Sequence, residues 1–324
     1  MAEVTKPIEG GHREVSVATD AAVVTAGVPA AIGGVEKAKS KRLGVMGWLA
    51  VIWVGLVVLM VFLPGIFPVT DLKSRSVEAI TSQSFGPSLD HPLGLDVSGY
   101  DLLTKIIYGA RASMMVSVGA ILFSLAIGGT LGLLAGYFKG RFDTVVTGVF
   151  NLGLAVPFLV LALAFVAVLA TGDDVSYARR VSVVMLSVGI ASIPTIGRIT
   201  RANTLAWSER EFVLAARVQG AKTWRILIRE VLPNVMPAMF SIALLGVGIV
   251  IIAEGALALL GAGVPATIDT PSWGNVLASL SPQLFLGKPW GVFAPSIAIF
   301  LTVLSLNYLG DVVRARFDVR ESVL

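Results

Sequence analysis

The sequence predicts an all-α membrane protein with six transmembrane helices and both termini in the cytoplasm. Three observations carry that expectation. The chain is 55% hydrophobic and only 14% charged over 324 residues, more apolar surface than one water-soluble core of ordinary proportions can hide. Its charges are clustered, leaving uncharged runs at 43–70, 112–138, 144–172, 181–197, 231–253 and 289–310 apart from Lys288 just before the last. Five of these exceed the roughly 20 residues with which a helix crosses about 30 Å of hydrocarbon. The third observation is an asymmetry of basic residues between alternate connecting segments, described below.

The first 42 residues mix Ala, Val, Gly and charge without a sustained amphipathic period, and Pro29 interrupts their most apolar stretch. They read as a cytoplasmic tail. The first strong apolar run begins after Arg42 and is too long for the core of a cleavable signal peptide, so it is expected to be retained as an anchor. That first span, 43–68, should close at Pro64-Gly65 and Pro68. An external segment, 69–111, follows. Residues 112–310 then supply five more helices with a long cytoplasmic loop at 198–234, and 311–324 form a second cytoplasmic tail. The run 181–197 is short: its 17 positions reach about 26 Å at about 1.5 Å per residue. Arg180 and Arg198 at its ends can snorkel to the two interfaces.

This arrangement places Lys6, Arg13, Lys37, Lys39, Lys41 and Arg42 inside, followed by Lys139 and Arg141. Arg198, Arg201, Arg210, Arg217, Lys222, Arg225 and Arg229 come next, with Arg314, Arg316 and Arg320 in the tail. Most of the 25 basic residues therefore lie on the cytoplasmic side, the expected bias. A membrane β-barrel would need short segments of alternating polarity instead of long apolar runs. The chain has no cysteine, which excludes disulfides and thiolate chemistry, and His12 and His91 have no histidine neighbour with which to form a metal site.

Gly128, Gly132 and Gly136 recur every four residues and so stack on one helical face, where small residues let a neighbouring helix approach closely. In the cytoplasmic loop, Ser208-Glu209-Arg210-Glu211 matches a capping box, predicting a helix start there. That helix should stop at Gly220, a residue suited to a left-handed C-cap. A second short helix is predicted over 222–230, with Pro233 marking re-entry into the membrane. Ala215 and Ala216 lie mid-helix, where small side chains admit another surface, and Glu211 and Arg217 flank them with opposite charges. These features alone fit either a solvated, well-capped loop or a docking element.

Spacing discriminates. Glu211, Ala215, Ala216, Gly220, Leu232 and Pro233 resemble the EAA loop of ATP-binding-cassette (ABC) importer permeases. Further stretches resemble its dipeptide/oligopeptide/nickel subfamily: His91-Pro92-Leu93-Gly94 with Asp96, Gly99 and Asp101, and Tyr108-Gly109-Ala110-Arg111. So do Leu259-Leu260-Gly261-Ala262-Gly263, Pro271-Ser272-Trp273-Gly274-Asn275 and Asn307-Tyr308-Leu309-Gly310-Asp311. Glu230, Leu95, Val97, Tyr100 and the tail after Asp311 depart from the family pattern. The resemblance implies a type I importer permease fold and the second, C-type permease subunit of a peptide importer. It implies ATPase coupling through Glu211, Ala215, Ala216, Arg217, Gly220 and Ala221. The implied partners are a second permease subunit, two ABC ATPase subunits and an external solute-binding protein, with ATP and Mg bound by the ATPases and no cofactor in this chain.

The sequence contains no G-x-x-x-x-G-K-[ST] phosphate loop; Gly220-Ala221-Lys222-Thr223 is the nearest string and has the wrong glycine–lysine spacing. The expectation is a non-catalytic transport subunit for short peptides. Nickel or another small solute is an alternative within the family. An ion-coupled secondary transporter, with Glu254 as coupling site, and a receptor or scaffold are alternatives outside it. Glu254, an ionisable residue late in the fifth span, is a candidate gate or pathway residue, together with Asn151. Pro157 and Pro194 are expected to kink their helices.

Overall fold

The computed structural model describes residues 44–317 except 68, 78–79, 81–84, 171–175, 265–269 and 283–289. The expected tail at 1–42 and the end of the chain from 318 lie outside the described residues, as does Lys288. Among the described residues the fold is helical, with two isolated antiparallel bridges, Arg75 with Tyr100 and Leu95 with Asp101, in the segment before the second long helix.

Helix α1, Val45–Phe62, is an uncharged stretch that ends where Pro64 begins a single tight turn. It is shorter than the predicted 43–68, because a proline at the first position of a new turn cannot continue the helix before it. Trp53 Nε1 donates to Thr302 Oγ1 at 3.0 Å, pinning α1 to the last helix. Helix α2, Leu102–Phe138, begins ten residues before the expected 112. Asp101 caps it, accepting from the Thr104 N–H at 2.8 Å, and the charges that interrupt its apolar run, Lys105 and Arg111, occupy its outer turns. A π-turn at Leu125–Gly129 divides the helix without breaking it.

The predicted third span is broken. Helices α3, Gly140–Ala155, and α4, Phe158–Leu169, meet at 92°. Pro157 has no N–H to continue the ladder, and its ring drives Val156 out of the helical region to φ −94°, ψ 131°. An elbow replaces the expected kink. Pro194, by contrast, lies inside the continuous helix α5, Tyr177–Ser208. Its 32 residues carry the short predicted run 181–197 well past Arg198, so the charges at Arg198 and Arg201 belong to a helix end and not to a loop.

Helix α6, Glu211–Val218, is a short element that follows α5. Helix α7 runs from Thr223 to Leu259 through a π-turn at Leu227–Val231. The predicted separate helix over 222–230 is thus the first part of α7. Pro233 causes no break, because the wider turn just before it accommodates the missing N–H. Helix α8, Trp273–Leu280, and helix α9, Trp290–Phe317, complete the described residues. Among the described residues five helices, α1, α2, α5, α7 and α9, are long and apolar enough to span a membrane, and the bent pair α3–α4 passes the same test of length and composition when taken together.

α2 packs along both α5 and α7, and α7 against α9. The main core joins Val57 of α1, Ile107 and Val116 of α2, Val184 and Val188 of α5, Ile251 of α7 and Ala298 of α9. Much of the outward apolar surface, such as Ile52, Leu122, Ile249 and Phe300, is exposed, as lipid-facing side chains must be.

Candidate coupling and membrane sites

At the cytoplasmic end, α6 does not start on the predicted capping box. Ser208 is the last residue of α5, its hydroxyl donates to the Leu205 carbonyl at 2.9 Å, and α6 is preceded by Arg210 with no side-chain cap. Glu209 instead pairs with Lys139 Nζ at 2.7 Å. Helix α5 runs on through Ser208, so its hydroxyl bonds within its own helix instead of capping α6. The other end of α6 matches its prediction in detail. Gly220 stands at φ +75°, its N–H donates to the Arg217 carbonyl, and the Ala221 N–H donates to the Ala216 carbonyl. This paired 5→2 and 6→1 closure is the Schellman arrangement, which needs a left-handed residue at Gly220.

Val213 is the anchor of α6. It is fully buried in a small cytoplasmic cluster with Tyr137, Ile226, Leu227, Val231 and Val235, against which Ala216 and Ala221 also pack. Glu211, Phe212, Leu214, Ala215, Arg217 and Val218 all face outward. Val218 is 89% exposed and Trp224 57% exposed. Arg210, Lys222, Arg225 and Arg229 are exposed around them. Beside α6 lies an open pocket of about 280 Å³ lined by Tyr137, Phe138, Arg217, Ala221, Thr223 and Ile226. The Arg217 guanidinium stands over the Tyr137 ring at 5.7 Å.

The glycine row lies directly against α5. A Cβ on Gly128 would stand 2.6 Å from the Ile193 carbonyl oxygen, one on Gly132 2.2 Å from that of Gly197, and one on Gly136 2.6 Å from that of Arg201. The partners repeat every four residues as the glycines do, so two helix backbones run in contact for two turns. Arg201, at the inner end of this seam, also pairs with Asp143 of α3. On the other side of α5, Gly197 makes room for the buried Phe150 ring and Gly153 lies against Pro194. These contacts set the α3–α4 elbow about midway along α5. Asn151, in the last turns of α3, is exposed, as are Leu152, Leu154 and Val156.

Glu254 has no exposed surface. Its Oε1 accepts from the Ser272 hydroxyl at 2.7 Å, its Oε2 from the Ser113 hydroxyl at 3.4 Å, and the carboxylate also accepts from the Gly274 N–H. It therefore joins α7 to α2 and to the start of α8. Asn151 and Glu254, each expected as a possible gate or pathway residue, lie in separate environments, one exposed and one enclosed. Ser113 and Ser272 were not singled out for this role from sequence. The signal for Ser272 was present, since Ser272 and Asn275 form a reciprocal capping box at the start of α8.

Outside, the His91–Asp101 motif is a turn that prepares α2. Gly94 and Gly99 both adopt φ +80°; Asp96 Oδ1 accepts from the N–H groups of Ser98 and Tyr100; Asp96 pairs with Lys105; and His91 Nδ1 lies 3.0 Å from Asp101 Oδ1. Among the described residues no three His, Asp or Glu side chains converge as a metal site.

Residues 128–322 match the family described as binding-protein-dependent transport system inner membrane component. The chain is 36% identical over 267 residues to the dipeptide transport system permease protein DppC of Alkalihalophilus pseudofirmus, covering 82% of this chain and 84% of that one. It is 36% identical over 233 residues to the glutathione transport system permease protein GsiD of Pectobacterium atrosepticum, covering 72% and 74%. In structure it is similar to a chain of the inward-facing MetNI methionine ABC transporter, with TM-score 0.54 and 18% identity over 66% of this chain and 97% of that one.

Proposed function

The chain belongs to the family of inner-membrane components of binding-protein-dependent transport systems, and from that premise we propose that it forms, with a second permease subunit, a pathway for short peptides. It is a multi-pass permease subunit of an ABC importer, and its family works with an ATPase. The peptide reading rests on one observation above the rest: similarity to a dipeptide permease along 82% of this chain. The named glutathione permease, whose solute is itself a small peptide, supports the same class.

In this reading two ATPase subunits hold ATP and Mg and perform the hydrolysis, an external binding protein delivers the solute, and this chain does no covalent chemistry. The ATPase contact is α6 with the start of α7. Three features support it: the exposed apolar side chains Leu214, Val218 and Trp224 in a cytoplasmic setting, the exposed basic residues around them, and the rigid Schellman closure at Gly220. Movement of α6 reaches the spans through the buried Val213 and the cluster it shares with α2 and α7, as in rigid-body rocking of packed elements. Arg217 and Ala221, at the lip of the neighbouring pocket, complete the contact.

The elbow at Asn151–Pro157 lines the pathway. Helix ends leave backbone groups without intrahelical partners, and at membrane depth such groups are tolerated only where they meet protein or water. The exposed side of this elbow therefore turns from lipid, toward the second permease and the passage between them. In this reading Glu254, engaged by Ser113, Ser272 and Gly274, is a structural residue and not the coupling site of an ion-driven transporter.

Reconstituting the chain with its ATPase subunits and the binding protein from the same system, and measuring ATP-dependent uptake of dialanine, tests the proposal. Saturable uptake abolished by excess unlabelled dipeptide is expected. Uptake of nickel with indifference to peptides would replace the peptide reading by the metal one.

A further inference from the structure

The start of α8 is buried among helices, so its first N–H groups need partners other than water. Each has one. The Trp273 N–H donates to Ser113 Oγ at 3.0 Å, that of Gly274 to the Glu254 carboxylate, that of Asn275 to Ser272 Oγ at 3.1 Å, and that of Val276 to the Ser272 carbonyl at 3.0 Å. Both serine hydroxyls that accept here give their own protons to Glu254. One carboxylate thus orients two hydroxyls so that their lone pairs face α8, besides accepting directly from Gly274. A carboxylate is acceptor-only, whereas a glutamine would turn an NH₂ toward a donor. The positive end of the helix dipole favours the charge at the same place.

The fit is close on every side. A Cβ at Gly274 would stand 2.4 Å from Glu254 Oε2. Trp273 is fully buried, its indole N–H donates to the Ile106 carbonyl at 2.8 Å, and Gly109 leaves room for its ring. Farther along, Val276 and Leu280 pack with Leu102, at the outer end of α2. α8 is therefore a wedge lying along the outer turns of α2, with its N-terminus deepest and Glu254 of α7 closing behind it.

We propose that Glu254 is a positioning residue for transport: it keeps α8 seated between α2 and α7 throughout the cycle, so that the outer ends of the three move as one body. The inference rests on the transport-subunit reading, but its test uses no transported solute. Failure to take up dialanine would count against the peptide reading and leave this one standing.

The chain has no cysteine, so Met115→Cys on α2 and Ser279→Cys on α8, both at exposed positions, accept spin labels selectively. Distances are measured in the complex with its ATPase subunits, nucleotide-free and trapped with ATP and vanadate. One narrow distribution, the same in both states, is expected. Glu254→Gln should broaden it, and Gly274→Ala should broaden it independently by displacing the carboxylate. In a Glu254→Ala background Gly274→Ala should add nothing, because the atoms it would strike are gone. A distribution that shifts between the two nucleotide states with Glu254 and Gly274 unaltered would overturn the proposal. So would a narrow one in Glu254→Gln, or in Gly274→Ala if Glu254→Gln does not assemble.

Discussion

Single glycines decide much of this molecule, each for a different reason. Gly220 is required by its positive φ, and a β-branched side chain there opposes the left-handed conformation by about 1–2 kcal/mol. Gly220→Val should therefore unseat the end of α6 and lower solute uptake per ATP hydrolysed, with the amount of protein in the membrane unchanged; paired uptake and phosphate-release assays check this. Gly132 is required by proximity, its missing Cβ lying closest of the row to the α5 backbone. Gly132→Ala should cost about 1–3 kcal/mol, as overpacking does, and lower the thermal unfolding midpoint in detergent. Gly148→Ala, with nothing within 4 Å of the added carbon, should not lower it and should raise it slightly, alanine being the better helix former by about 1 kcal/mol. Two ion pairs at the inner surface contrast in the same way. Lys139 and Glu209 are largely exposed, with side chains 46% and 62% accessible, so Lys139→Ala should shift stability by no more than about 0–1 kcal/mol. Arg201 and Asp143 are more enclosed at 26% and 18%, and Arg201→Ala should cost more in the same melt, by about 1.5–3 kcal/mol for charged hydrogen bonds.

At the scale of elements, what was legible in the sequence follows from which interactions are local. Apolar runs located the spans, because the bilayer requires them wherever they pack. Gly220 marked the end of α6, because its backbone conformation is its own. Ser208 misled because a capping box is a local option that the longer α5 overrides through packing not visible in the motif. The length of α5 was hidden by Arg198 and Arg201, which read as loop charges until Asp143 on another helix supplies a partner for the second. The elbow was hidden because a proline inside an apolar run is compatible with both a kink and a break. What separates them is the packing of Phe150 and Gly153 against Gly197 and Pro194, far along the chain. Pro157→Ala restores the missing N–H and frees Val156 to be helical. It should straighten the α3–α4 junction and reduce uptake while ATP hydrolysis continues, as measured on the reconstituted complex.

At the scale of the whole molecule, two connected regions divide the work. At one end, α6 buries Val213, packs Ala216 beside it, and otherwise presents apolar and charged side chains outward, the face proposed to meet the ATPase. At the other end, α8 is held by a hydrogen-bond network within this chain, completed by Glu254. Between them the glycine seam joins α2 to α5 with two backbones in contact, a stiff connection able to carry movement from one side of the membrane to the other. The enclosed glutamate, which in sequence was the strongest argument for an ion-driven transporter, is here bound up with α8. In the proposed reading the energy for transport arrives through α6.

The most direct test is made in sealed proteoliposomes holding the complete complex, with dialanine and the binding protein outside and ATP inside. Uptake that requires ATP hydrolysis, persists when the proton gradient is collapsed, and is lost on Gly220→Val is the predicted result. Uptake sustained by a proton gradient with an inactive ATPase, and abolished by Glu254→Gln, would contradict it.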